Sequence, residues 1–83
     1  MNVPRLKQGL EAVPLLDGVA IVNSGAPVLF QGRAAGEVLV PLLATLDGLL
    51  NAEGLAAKLG MPVEHVERGL ALLAERGLVE DSA

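Results

Sequence analysis

The sequence predicts an α+β domain, a three-stranded antiparallel sheet followed by three helices. Three observations predict it. Turn signals, LDG at 16–18 and NSGA at 23–26, separate short apolar runs in the first third of the chain. From Ala34 onward the apolar residues recur at helical spacing. Helix stop and start residues then punctuate the helical part at Gly48, Gly60, Pro62 and Gly77. With strands first, helices after, and no repeat or linker, the chain reads as one domain over residues 1–83, strands over about 6–31 and helices over about 34–77.

The first strand is placed around Leu6 to Leu15, the second at Val19 to Asn23 and the third at Val28 to Gln31. Pro27 suits the start of an edge strand, where a missing N–H does least harm, so the third strand is expected to leave one edge free. In the first helix, Val38, Leu39, Leu42, Leu43 and Leu46 make an apolar stripe that stops at Asp47-Gly48, with Gly48 suited to a C-terminal cap. Pro41 removes a backbone donor and disfavours helical angles at Val40, which predicts a kink or a late start. Asn51 caps a second helix carrying Leu55, Ala56 and Leu59 and ending at Gly60. The third helix opens with Pro62 at its first position, has Glu64 near its positive end and runs to Gly77. Leu78 and Val79 then pack back under the bundle.

Size and composition narrow the chemistry. A chain of 83 residues buries about 60–65% of its unfolded surface, which leaves little room for a deep catalytic pocket. The chain has no cysteine, which excludes disulfides, thiolate nucleophiles and the usual structural zinc sites. No stretch approaches the roughly 20 apolar residues that span a bilayer, and MNVPRLKQGLE lacks a signal-peptide core, so the expectation is a cytoplasmic protein without a membrane partner. The single histidine, His65, lacks partners for a metal site or a nucleophile relay. Ser24 falls in a turn and Ser82 in the tail, and RAAGE lacks the Gly-Lys-Ser/Thr of a phosphate loop. No catalytic residue, metal or cofactor is therefore expected, and the chain is not expected to be an enzyme.

Residues 55–79, LAAKLGMPVEHVERGLALLAERGLV, resemble the helix-turn-helix half of a winged-helix domain, which makes a DNA-binding regulator the alternative reading. Charge argues against it. Residues 62–76 hold Glu64, Glu67 and Glu75 against Arg68 and Arg76, while recognition helices bring cations to phosphates. The formal net charge of the whole chain is −4, and with one aromatic residue, Phe30, base stacking is nearly excluded. Only Leu78 to Asp81 remain for a wing after the third helix.

Residues at about 100° steps around the third helix place Val63, Val66, Leu70, Leu73 and Ala74 on one arc, the expected core face. Opposite lie His65, Gly69, Leu72 and Arg76, with Arg68 beside them. Gly69 costs about 1 kcal/mol relative to alanine inside a helix, a penalty that makes sense where another backbone approaches closely. The plain alternative is an ordinary exposed leucine beside a neutral glycine. Combined with a free strand edge, this face predicts peptide recognition. An extended peptide adds to the third strand, and its side chains enter a groove between that strand and the third helix. Either Val28 and Phe30 or Leu29 and Gln31 face the core, and the other pair helps line the groove. Arg68, Arg76 and Arg33 are positioned to pair with ligand acids.

Taken together, DGVAIVNSG, VLFQGRAAGEVLVPLLATLDG and LAAKLGMPVEHVERGLALLAERGLVE resemble, in order, the PqqD-like precursor-peptide recognition elements of ribosomal peptide natural-product biosynthesis. The subtype resembled is the N-terminal region of cyclodehydratase partner proteins in azole- and azoline-forming pathways, including those of thiopeptides. The resemblance implies a winged-helix-like, non-catalytic domain that binds a precursor leader peptide along Val28–Gln31 and the 65–76 face. It also implies delivery of the core peptide to a modifying enzyme, typically a cyclodehydratase of the YcaO type. A third reading is an interaction domain whose edge and Leu72 are covered by a second copy, a homodimer.

Overall fold

The computed structural model of the chain describes residues 3–22, 25–46 and 48–81. Five strands and three helices follow in order among these residues: β1 (Pro4–Leu6), β2 (Glu11–Leu15), β3 (Gly18–Val22), β4 (Val28–Gln31), α1 (Arg33–Thr45), α2 (Ala52–Leu59), α3 (Val63–Glu75) and β5 (Val79–Asp81). The antiparallel meander is β2-β3-β4, as the turn signals predict. Part of the second turn, Asn23 and Ser24, lies outside the described residues, as do Asp47 and Ser82.

The first predicted strand is two strands. Lys7 to Leu10 form a turn, closed by the Leu10 N–H donating to the Lys7 carbonyl at 3.4 Å and held by Gly9 at φ 85. The turn separates β1 from β2, and β1 leaves the meander to pair with β5 in a second, two-stranded sheet. There Pro4 stands opposite Asp81 and Arg5 opposite Glu80. Leu78 and Val79 are buried, as expected, and Val79 opens the second strand of this ribbon.

Register fixes the faces of the meander. Val19 pairs with Phe30, and Ile21 with Val28 and Ala12; Val19, Ile21 and Phe30 are buried in the core. Side chains alternate along a strand, so Ala20 points to the other face between Val13 and Leu29, both exposed. Helix α1 lies across the inner face so closely that a Cβ on Gly36 would sit 3.5 Å from the Gly18 backbone nitrogen.

The helices begin and end close to their sequence signals. Helix α1 starts at Arg33 and continues through Pro41, so no late start occurs. Leu39, Leu42 and Leu43 are buried, Val38 and Leu46 half-buried. Leu46 is the C-terminal boundary residue of α1, and Gly48, at φ 80, lies two residues past it. Asn51 caps α2, its Oδ1 accepting from the Gly54 N–H at 2.8 Å. Pro62 immediately precedes α3 rather than opening it, and its carbonyl accepts from the Val66 N–H at 3.4 Å. Helix α3 stops at Glu75, short of Gly77. There the Leu78 N–H donates to the Leu73 carbonyl and the Gly77 N–H to the Ala74 carbonyl, a Schellman ending for which Gly77 takes φ 68.

Candidate functional site

The core face of α3 is rotated from its expected position. Val66, Leu70 and Leu73 are buried and Val63 is half-buried, but Ala74 is exposed and Gly69 is buried. The cause is α1, which packs against α3 at Gly69. A Cβ there would come within 2.9 Å of Leu42 Cδ2, 3.3 Å of Leu39 Cδ2 and 3.4 Å of Val38 Cγ1. The close approach that the glycine suggested is thus made by leucine and valine side chains of the same chain. His65, Arg68 and Leu72 lie on the flank beside this contact.

That flank and α1 enclose a groove of about 430 Å³, within the usual range for small ligand sites. From α3 it is lined by His65, Arg68, Gly69 and Leu72, four of the five residues that sequence placed on this face. Arg76 does not line it and stands exposed at the end of the helix. The other wall, Ala35, Glu37, Val38 and Leu39 of α1, with Met61 from the α2–α3 turn, was not foreseen as part of a site. Met61, Val38 and Leu39 were legible as apolar residues. Nothing local in the sequence says which flank of α3 the first helix covers.

The third predicted strand is β4, with the predicted bounds, and it is an edge strand of the described meander, paired only with β3. Val28 and Phe30 face the core, and Phe30 is buried; Leu29 and Gln31 face outward and are exposed. None of the four lines the α1–α3 groove. The strand edge and the groove are therefore two surfaces, joined through Gly32 and the first turn of α1, in which Ala35 is a groove residue. Arg33, also exposed, borders a different cavity beside Asp17 and Gly18.

The groove floor is apolar and its two charged residues, Glu37 and Arg68, are exposed; neither is in an ion pair among the described residues. His65, beside Arg68, is exposed as well. An ion pair elsewhere, Arg5 with Glu80 at 2.6 Å, joins β1 to β5. A larger cavity, about 710 Å³, opens at the start of α2 between Glu53 and Glu67. Its one uncharged polar side chain, Asn51, is already committed to capping, so we regard the smaller groove as the better-built site. Among the described residues no three His, Asp or Glu side chains gather in a way that could hold a metal ion, and no helix is long and apolar enough to cross a membrane.

No family model matches the chain, and neither does any curated protein. Among solved structures the chain is similar to a heterocyclase in complex with substrate and cofactor, with a TM-score of 0.72 and 21% sequence identity. The match covers 98% of this chain and 11% of that one. The two share the fold. The chain thus corresponds in extent to a small portion of the heterocyclase.

Proposed function

We propose that this chain is a non-catalytic recognition domain for the leader segment of a ribosomally made precursor peptide. The observation that carries the reading is the groove between α1 and α3, which gathers His65, Arg68, Gly69 and Leu72, its α1 wall following directly on β4, whose outer edge pairs with no strand among the described residues. An extended peptide adds to β4 through backbone hydrogen bonds, which give affinity without regard to sequence, and side chains seated on the α3 flank give selectivity. The domain does no chemistry. It presents the remainder of the peptide to a modifying cyclodehydratase of the YcaO type, raising its local concentration so that successive modifications behave as intramolecular reactions. The likeness in fold to a portion of a heterocyclase supports that partner class.

The test is an amide-shift NMR titration of the labelled chain with a leader peptide from a precursor encoded nearby, with duplex DNA as control. Saturable shifts along Val28–Gln31 and His65–Arg76 with peptide are expected. Shifts with DNA alone would favour a regulator. No shifts with either, together with a mass that rises with concentration, would favour a dimer that covers its own edge.

A further inference from the structure

We infer that the groove selects a dipolar peptide segment, one apolar anchor residue with an acid on one side and a base on the other, in a fixed order. This rests on the peptide reading above. The two walls carry opposite charge: Glu37 stands on the α1 wall and Arg68 on the α3 wall. Between them the floor is apolar, built from Val38, Leu39 and Leu72 over Gly69. Neither Glu37 nor Arg68 is in an ion pair among the described residues, so each is free to meet a ligand charge.

Side chains alternate along an extended segment, so when it crosses from wall to wall the residues two before and two after the anchor share the anchor's face and come near different helices. The residue at α3 is favoured as Asp or Glu, the residue at α1 as Lys or Arg, and the reversed segment meets like charge on both sides. The two backbone directions of a segment across a chiral groove are not equivalent in energy, so one prevails, and the wall charges then set the order of the two charges along the ligand. Repulsion of the wrong order sharpens selection as much as attraction of the right one.

The test uses a display library of random 12-residue peptides selected on the full 83-residue chain. Enriched peptides are expected to share an apolar anchor flanked by an acid and a base in one constant order. The double variant Glu37→Arg/Arg68→Glu keeps the net charge and is expected to enrich the opposite order, with at least a tenfold reversal of preference between two representative peptides. Enriched apolar peptides with no constant order, or an order unchanged in the double variant, overturn this inference and leave the peptide reading standing. Failure to enrich any sequence overturns both.

Discussion

Gly69 of α3 and Leu42 of α1 touch where a side chain is missing: a Cβ at position 69 would sit 2.9 Å from Leu42 Cδ2. The two helices approach through that gap, and the groove opens beside it. A residue that looks like a helix weakness is therefore the spacer that sets the width of the candidate site.

Replacing Gly69 tests the spacing. Alanine gains about 1 kcal/mol of helix propensity but crowds the mobile end of Leu42, so Gly69→Ala is expected to unfold within about 1 kcal/mol of the parent. Gly69→Val adds branches that α1 must move to accommodate, and a loss of about 1–3 kcal/mol is expected. Urea denaturation measures both. A valine variant as stable as the alanine one would show that the close approach of the helices does not depend on this glycine.

Leu72 stands at the lip of the groove, 41% exposed. Leu72→Glu is expected to weaken leader-peptide binding at least tenfold, about 1.4 kcal/mol, with unfolding still cooperative. Fluorescence anisotropy with a labelled peptide reads the first and thermal denaturation the second. Unchanged affinity removes Leu72 from the site.

For acidic ligands, Arg68→Glu is expected to cost more affinity than Arg76→Glu, since Arg68 lines the groove and Arg76 stands beyond it. Both losses should shrink as salt is raised, because exposed charges are screened over a Debye length of about 8–10 Å near physiological ionic strength. Equal losses, or losses indifferent to salt, would place the ligand elsewhere.

The Asn51 cap offers a test of the fold alone. Asn51→Ala removes the acceptor for the Gly54 N–H and is expected to cost about 1 kcal/mol. In a domain of this size that lowers the melting temperature by roughly 4–8 °C. A shift below about 1 °C would mean that water replaces the cap without cost.

What could be read from the sequence was what neighbouring residues decide. The ends of α2 follow from Asn51 and Gly60, the bounds of β4 from Pro27 and the apolar run VLFQ, and the buried stripe of α1 from its spacing. The β1–β5 ribbon could not be read this way. Its strands are three residues each, too short to show a period, and Arg5 and Glu80 are 75 positions apart. Gly9, which ends the first strand early, is a turn residue that the longer apolar pattern concealed. The site was half legible for the same reason. The α3 residues fall on one arc of one helix, whereas Glu37 and Val38 join them only because α1 crosses at a glycine.

The β1–β5 ribbon also bears on how the protein reaches its fold. Pro4 stands opposite Asp81, so nearly the whole chain must be drawn into a loop before these strands can meet. Closing so long a loop is entropically costly, while the meander closes over short spans. A circular permutant that joins the two strands through a short linker and opens the chain between α1 and α2 makes that pairing local. It is expected to fold faster than the parent, with native hydrogen exchange most altered along β1 and β5. Equal folding rates would show that the ribbon docks only after the rate-limiting step, as a clasp on a domain already formed.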